Sequence, residues 1–343
     1  MPLAPAMKLL VTGAAGFIGY FTSQRLLARG DEVVGVDNLN DYYDVTLKRA
    51  RLAQLDGQRG FRFVKLDLAN QAGVSQLFAG EKFQRVVHLG AQAGVRHSLK
   101  DPHSYISSNV LGTLNVLEGC RHQRVEHLVY ASSSSVYGAS TKLPFSVHDA
   151  ASHPLSLYAA SKRSAELMAH SYSAMFGLPT TGLRFFTVYG PWGRPDMALF
   201  RFARAIVDGK PIEIYNQGHH QRDFTYVDDI VEGVVRIVDR VAAPDEQWNS
   251  LAPDPAGSFA PYRLYNIGSH RPIELLRYIE LLEACLGRKA ERILKPLQPG
   301  DVTDTFADIS ELTDAIDFRP EMPIEVGVRR FVDWFRDYYR IGS

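Results

Sequence analysis

The chain has 343 residues, 45% of them hydrophobic, and its 38 basic side chains balance its 38 acidic ones. This length supports a large core and roughly two lobes, and the balanced charge excludes the strongly basic surface typical of proteins that bind nucleic acid or membrane surfaces. The two cysteines lack metal-ligand spacing, and no apolar run is long enough to span a membrane. From the first residues we expect no signal peptide. We therefore expect a cytoplasmic protein with no metal, nucleic-acid or membrane partner.

The first half alternates short apolar runs, which predict strands, with longer amphipathic runs, which predict helices. β-Branched and apolar residues fill the short runs, as in parallel sheets that are buried on both faces. The pattern therefore predicts an α/β fold built on a Rossmann-type doubly wound parallel sheet. The predicted strands are 8–11, 32–37, 61–67, 85–90, 127–132 and 180–186, and the predicted helices are 16–29, 45–55, 71–78, 102–121 and 155–176.

The second half is less regular. It predicts helices at 197–208, 228–241, 272–286 and 324–339, a strand at 264–267 and a surface loop at 242–261. We divide the chain into a nucleotide-binding domain at 1–190, to which 225–260 returns, and a smaller C-terminal α/β lobe at 191–343. The lobe is expected to cap the carboxyl edge of the sheet, where doubly wound folds bind ligands.

A glycine-rich segment follows the first predicted strand and opens the first predicted helix. Its glycines allow a tight turn and a close approach by a pyrophosphate, and the helix N-terminus supplies free N–H groups. The second predicted strand ends at Asp37, whose carboxylate suits the ribose hydroxyls and would repel a 2′-phosphate. Because residues 38–40 also contain no arginine, we predict NAD rather than NADP. The segment reads Gly13, Ala14, Ala15, Gly16, Phe17, Ile18 and Gly19.

The next two predicted strand ends lie at the same edge of the sheet. Asp67 and Leu68 follow the third strand and are expected to contact the adenine. Ala91, Gln92 and Ala93 follow the fourth, where small side chains leave room for the cofactor. Taken alone, each segment is equally well explained as an ordinary loop at a strand end.

Hydroxyl side chains end the fifth strand in a serine run at 132–135, and Tyr158 and Lys162 follow four residues apart. Residues i and i+4 share a helix face, so the ammonium is expected beside the phenol and should lower its pKa from about 10. Such a phenolate can take a proton from a sugar or alcohol hydroxyl. The same residues are also compatible with a surface helix pair and a capped strand end.

Together, the glycine pattern, Asp37, the serine run before Val136-Tyr137-Gly138, and the Tyr158/Lys162 pair resemble the extended short-chain dehydrogenase/reductase family, from about residue 7 to 335. Three finer motifs are similar to those of its UDP-glucuronate 4-epimerases. They are Asn-Asp-Tyr-Tyr-Asp at 40–44, Gly-Pro-Trp-Gly-Arg-Pro-Asp-Met-Ala at 190–198 and Gln-Pro-Gly-Asp-Val at 298–302. The resemblance implies tightly bound NAD and a UDP-hexuronate bound mainly by the C-terminal lobe.

The resemblance also implies the reaction. Tyr158 takes the proton of the sugar 4-hydroxyl while NAD takes the C4 hydride, and the 4-keto sugar rotates and takes the hydride back on its other face. Lys162 would bind the nicotinamide ribose, and Ser133 and Ser134 would complete the catalytic set at the 4-oxygen. The implied cofactor residues are Gly13, Ala15, Gly16, Phe17, Ile18, Gly19, Asp37, Asn38, Asp67, Leu68, Ala91, Gln92, Ala93, Asn109, Ser132, Tyr158 and Lys162.

A hexuronate substrate poses a chemical hazard, because its 4-keto intermediate is a β-keto acid that loses CO2 when the breaking bond aligns with the ketone. Arg194 is the predicted carboxylate anchor, since a guanidinium binds a carboxylate through two parallel hydrogen bonds. A solvated loop arginine at 194 and a structural salt bridge at Arg222 are the simpler alternatives. The full predicted substrate set is Ser133, Ser134, Ser135, Thr187, Arg194, Arg222 for the pyrophosphate and Asp301 for the uridine ribose.

Several alternatives remain open at this point. Ser134 and Ser135 replace the acid pair of dehydratases, and Ser135 also replaces a glutamate usual in UDP-glucuronate decarboxylases. Gln298 stands where UDP-galactose 4-epimerases carry an arginine, yet a UDP-glucose/UDP-galactose epimerase stays possible. A nucleotide-sensing regulatory protein is the non-enzymatic alternative. Family members pair through the helices predicted at 102–121 and 155–176, so we expect a homodimer.

Overall fold

The structure is a computed structural model that describes residues 6–297 and 304–342. The chain alternates strands and helices up to about residue 185, as its sequence predicts. The strands are β1 Lys8–Thr12, β2 Glu32–Asp37, β3 Phe61–Lys65, β4 Arg85–His88, β5 His127–Ser133, β6 Thr180–Phe185, β7 Thr187–Tyr189, β8 Ile212–Ile214, β9 Gln221–Tyr226, β10 Tyr262–Ile267, β11 Pro272–Glu274, β12 Arg292–Leu294 and β13 Asp304–Thr305. The helices are α1 Phe17–Arg29, α2 Val45–Leu55, α3 Gln71–Gly80, α4 Pro102–Tyr105, α5 Gly112–Gln123, α6 Leu157–Phe176, α7 Ala198–Val207, α8 Val227–Asp239, α9 Leu275–Leu286, α10 Ser310–Ile316 and α11 Ile324–Tyr339.

Seven parallel strands form the central sheet in the order β10-β6-β5-β4-β1-β2-β3. Successive residues of a strand point to opposite faces, so Leu9 packs into one apolar layer with α1 and α8. Its neighbour Leu10 packs into the other layer, with α3, α5 and α6. Both leucines are fully buried. The predicted doubly wound sheet is confirmed, and its carboxyl ends share one edge.

The smaller C-terminal lobe is built on short strands and three helices. Strand β9 pairs with β7, β11 and β13, and β8 pairs with β12. Aromatic rings of α7 and α11 pack against each other, among them Phe200, Phe331 and Phe335. These strands have two to six residues, so most are too short for an alternating pattern to reveal them in the sequence.

The predicted helix at 102–121 is interrupted, and this is a correction. A π-helix at Ile106–Leu111 separates α4 from α5. Asn109 lies in this π-helix, and its side-chain amide hydrogen bonds to the backbone N–H and carbonyl of Gln92 in the loop after β4.

The helix predicted from residue 272 starts three residues later. Residues 272–274 form β11, which pairs antiparallel with β9, and α9 begins where the Leu275 N–H donates to the His220 carbonyl. The predicted loop 242–261 lies wholly within the described residues and contains no helix or strand.

Cys120 and Cys285 are both free thiols. In the described ranges, no helix is long and apolar enough to cross a membrane. Residues 6–297 and 304–342 also contain no cluster of three or more histidine, cysteine or acidic side chains that could hold a metal ion.

Candidate active site

A cavity of about 420 Å³ opens at the carboxyl ends of the central strands. Every described residue of the predicted cofactor and substrate sets lines it except Ala15, Asn109 and Arg222. Arg222 lines a second cavity of about 200 Å³, whose wall shares Ser134, Ser135 and Thr187 with the first. Asp301 and Gln298 lie outside the described residues. The two cavities therefore adjoin, and the described members of both predicted sets line one or the other except Ala15 and Asn109.

The glycine-rich loop at the floor of the cavity fits a pyrophosphate. Gly13 has φ +71°, and a Cβ there would lie 2.8 Å from the Gly90 nitrogen; a Cβ at Gly19 would collide with the Gly13 carbonyl. Gly16 caps α1 without a side-chain acceptor, and the first turn of α1 carries no acid. The N–H groups in the first turn of α1 therefore face no acidic side chain of that turn and can donate hydrogen bonds to phosphate oxygens.

Asp37 lies beside this loop at the end of β2. Its carboxylate accepts a hydrogen bond from the Leu39 N–H at 2.8 Å. Burial raises the pKa of Asp37, and the positive charge of Lys48 opposes that rise. The Lys48 amine also lines the cavity and donates to the carbonyl and side-chain oxygens of Asn40, at 2.8 and 2.7 Å. Asn38 donates to Asp67 at 3.0 Å, which joins the ends of β2 and β3.

Asn109 lies behind the cavity wall, at 2% exposure. Its side chain accepts from the Gln92 N–H at 2.7 Å and donates to the Gln92 carbonyl at 3.0 Å and to Ser161 at 2.9 Å. Ser161 in turn donates to the Tyr158 carbonyl. The amide thus holds the loop after β4 and also contacts α6, and the predicted contact between Asn109 and the cofactor stays a prediction.

A buried chain of hydrogen bonds continues from this loop to β1. The Gly90 N–H donates to the Thr12 hydroxyl, which contacts His88 Nδ1 at 2.8 Å. His88 Nε2 contacts Thr113, whose hydroxyl donates to the Asn109 carbonyl. His88 is therefore neutral with its proton on Nε2, and burial lowers its pKa to about 3.

Tyr158, Lys162 and Ser133 meet in the same cavity. Tyr158 and Lys162 lie one turn apart on α6, which begins at its cap, Ser156. The Ser133 hydroxyl hydrogen bonds to the Tyr158 phenol and accepts the Ser135 N–H at 3.2 Å. The Lys162 amine donates to the Ala131 carbonyl at 2.8 Å.

The predicted lowering of the Tyr158 pKa is not found in this structure. Burial raises the pKa of Tyr158, opposed by the Ser133 hydrogen bond and the positive charge of Arg194. The lysine is bound to Ala131 instead, and burial lowers its own pKa to about 8. The i, i+4 spacing predicts that Tyr158 and Lys162 share a helix face, but it carries no information about how far burial removes the Tyr158 phenol from water.

Ser132 lines the cavity, but its hydroxyl donates to Glu166 at 2.5 Å. Glu166 is fully buried and also accepts two hydrogen bonds from Arg184, at 2.9 and 3.0 Å. The Ser132 hydroxyl is therefore part of a buried ionic network, and toward a ligand it can act only as an acceptor.

Arg194 and Thr187 line the same cavity as the glycine-rich loop. The Arg194 guanidinium binds Asp196 through Nε at 3.0 Å and Nη2 at 2.5 Å. Tyr42 donates to the same carboxylate at 3.1 Å. Arg194 is thus held by a counter-ion at the cavity wall, and is not a solvated loop arginine.

Arg51 joins the two sides of the cavity from behind. It is fully buried and donates to the carbonyls of Ala15, Trp192 and Gly193 and to the Tyr43 hydroxyl. One side chain therefore connects the glycine-rich loop to the loop that carries Arg194.

The sequence analysis missed the contribution of the segment 40–51. The motif at 40–44 carries part of the family resemblance but indicates no role for its residues, and Asn40, Tyr42, Tyr43 and Lys48 all line the cavity. The cavity walls also include Val36, Leu66, Leu89, Gly90, Gly94, Val95, Ser108, Ala131, Phe185, Phe186, Val188 and Met197.

Comparisons with known proteins agree with this geometry. Residues 9–250 match the model of the NAD dependent epimerase/dehydratase family. The chain is 53% identical to Protein CapI of Staphylococcus aureus, over 97% of this chain and 100% of that protein. It is 46% identical to a probable UDP-glucuronate 4-epimerase of Rhizobium meliloti, over 97% and 98% of the two chains.

A solved structure is similar over nearly its whole length. It is a UDP-glucuronic acid 4-epimerase from Bacillus cereus in complex with UDP-glucuronic acid and NAD, with a TM-score of 0.86 and 33% identity. The match covers 97% of this chain and 100% of that one.

Proposed function

Because the chain belongs to the NAD-dependent epimerase/dehydratase family, we propose that it is an enzyme that interconverts UDP-glucuronate and UDP-galacturonate by inverting C4. The observation that carries this proposal is the single recess that contains Tyr158, Ser133, Arg194 and the glycine-rich loop. A nucleotide-sensing regulatory protein would not need the phenol, the serine and the guanidinium at one place.

NAD, when bound, accepts the C4 hydride and later returns it. We assign Gly13, Gly16 and Gly19 to the pyrophosphate, and Asp37 to the adenine ribose. Lys162, near the Ala131 carbonyl, would hold the nicotinamide ribose. These roles fit the residues present, since the glycines leave a cradle that a Cβ would fill.

Tyr158 is the proposed catalytic base and acid at the sugar 4-oxygen. Ser133 hydrogen bonds to the phenol, so a 4-hydroxyl that contacts both groups would be oriented for proton transfer. Ser134, Ser135 and Thr187 line the junction of the two cavities, where the hexuronate ring would lie. Arg222 lines the second cavity and is assigned to the UDP pyrophosphate.

The test is incubation of the purified protein with UDP-glucuronate and no added NAD, followed by proton NMR. We expect UDP-galacturonate to form without net NADH. Formation of a UDP-pentose would instead identify a decarboxylase. No reaction with UDP-glucuronate but turnover of UDP-glucose would identify a neutral-hexose epimerase.

We also propose that the chain acts as a cytoplasmic homodimer, paired through α5, the π-helix and α6. Large apolar side chains on the π-helix and α6 are exposed, among them Ile106 at 48%, Leu167 at 58% and Met175 at 72%. Burying such residues is the usual reason for helix pairing between subunits. Light scattering at micromolar concentration should give twice the chain mass, and Leu167→Glu should give a monomer; a wild-type monomer would reject the dimer.

A further inference from the structure

Asp196 is a charged group bound to two residues of the cavity wall, Arg194 and Tyr42, and neither the motif analysis nor the proposed chemistry gives it a role. Its two carboxylate oxygens bind the Arg194 Nε and Nη2 atoms in parallel, at 3.0 and 2.5 Å. This arrangement fixes the plane of the guanidinium as well as its position. Both side chains retain about a quarter of their exposure, 24% for Arg194 and 25% for Asp196, so the pair faces open space.

Tyr42, in the segment before α2, also lines the cavity and binds Asp196. Its hydroxyl donates to the second carboxylate oxygen at 3.1 Å. The ring lies 4.7 Å from that of His97, and a Cβ at Gly94 would collide with the hydroxyl, so Tyr42 has little freedom to move. Burial and the Asp196 charge raise the pKa of Tyr42 to about 12, which keeps the hydroxyl a donor.

Binding to Asp196 leaves part of the guanidinium available. Of its five N–H bonds, Asp196 takes one from Nε and one from Nη2, and three remain. An unpaired arginine could turn toward a substrate carboxylate in several orientations. An arginine held on one edge presents a fixed set of donors.

We propose that Asp196, held by Tyr42, is a positioning and specificity-determining residue that fixes the orientation in which Arg194 binds the substrate carboxylate. The inference rests on the proposed function. Its consequence concerns the 4-keto intermediate, in which the C5–carboxylate bond must stay out of line with the ketone. If the bond aligns, CO2 leaves, the electrons move into an enolate that takes up a proton, and return of the hydride gives a UDP-pentose.

The test compares Asp196→Asn and Tyr42→Phe with the wild type, using UDP-glucuronate and proton NMR. In Asp196→Asn the arginine keeps its charge but loses its orientation. We expect kcat for epimerisation to fall by about tenfold or more, KM not to rise, and UDP-pentose to become a measurable product. Tyr42→Phe should change the same quantities in the same direction by a smaller factor. Asp208→Asn removes an exposed carboxylate of the same lobe and is the matched control.

The outcomes separate the inference from the proposed function. A wild type that does not epimerise UDP-glucuronate defeats both. A working wild type with variants that keep its kcat and its pure product overturns only the role of Asp196. A rise in KM without any pentose would show a merely structural role and also overturn it. If Asp196→Asn does not fold, as judged by circular dichroism, Tyr42→Phe decides.

Discussion

The Arg194 guanidinium combines charge, orientation and access to the cavity. Its position beside Tyr158 and Thr187 suits a carboxylate on a sugar whose 4-position faces the phenol. A neutral hexose would have no use for a charged group held in this way. The sequence motif indicated the residue, but its counter-ion became visible only in the structure.

Replacing Arg194 should separate turnover from product identity. We expect Arg194→Ala to slow epimerisation and to release UDP-pentose and CO2, because nothing would hold the carboxylate out of line with the 4-ketone. Arg194→Lys keeps the positive charge but cannot make two parallel hydrogen bonds to a carboxylate, so it should also release UDP-pentose. Proton NMR measures both products. Unchanged turnover with no pentose would refute the assignment.

Removing the Tyr158 hydroxyl should abolish proton transfer and leave binding intact. We expect Tyr158→Phe to lower kcat by about 10²–10⁴-fold, the usual contribution of a general base. Calorimetric affinity for UDP-glucuronate should change little. Tyr172→Phe is the control, since Tyr172 lies on the same helix and hydrogen bonds to Glu118. A variant with near-normal kcat would exclude Tyr158 as the base.

The π-helix is the element that joins the cofactor loop to the catalytic helix. Through Asn109 it holds Gln92 on one side and Ser161 on the other. Because α6 carries Tyr158, the phenol and the loop after β4 are positioned by the same amide. A regular α-helix through 102–121 would rotate the residues after the bulge and move this amide away.

Asn109→Ala should therefore weaken cofactor binding as well as stability. Leaving buried partners unsatisfied costs about 1–3 kcal/mol of unfolding free energy. We expect less NAD to be retained through gel filtration than in the wild type. Asn249→Ala, in the exposed loop after α8, should change neither quantity. Full retention of NAD by Asn109→Ala would contradict the positioning role.

The central sheet could be predicted because its strands are buried on both faces and alternate with helices long enough to show periodicity. Asp37 could be placed for the same reason, since it ends a predicted strand. The three-residue strand β11 could not be predicted, nor could the roles of Lys48 and Asp196. Lys48 and Asp196 have partners nearby in the chain, Asn40 and Arg194, but the contact between Tyr42 and Asp196 joins segments that meet only in the folded chain.

On the scale of the whole molecule, two buried neutral histidines should make the fold sensitive to acid. Burial lowers the pKa of His88 to about 3 and that of His127 to about 4. In the unfolded chain both titrate near 6.5. Below that pH the unfolded state binds more protons, so stability falls as pH drops from about 6.5 toward the folded values.

At pH 5 each histidine should lower the unfolding free energy by about 2 kcal/mol relative to pH 8. Urea titrations at the two pH values measure the difference. His127→Gln should reduce the difference by about half, whereas a substitution of the exposed His122 should not. Equal stability at both pH values would contradict the burial of neutral imidazoles.

The division into lobes near residue 190 remains a prediction, which limited proteolysis can test.

Arg51 has a thermodynamic consequence for the order of ligand binding. It hydrogen bonds to the carbonyl of Ala15 in one loop and to those of Trp192 and Gly193 in the other. A ligand that orders either loop therefore lowers the entropic cost of ordering the other, and linkage requires the effect to be equal in both directions. Nucleotide and sugar should each raise the affinity for the other by the same factor. Such an enzyme binds its dinucleotide most tightly while a UDP-sugar occupies the site. During that interval, loss of the reduced dinucleotide would leave the 4-keto sugar without a hydride donor.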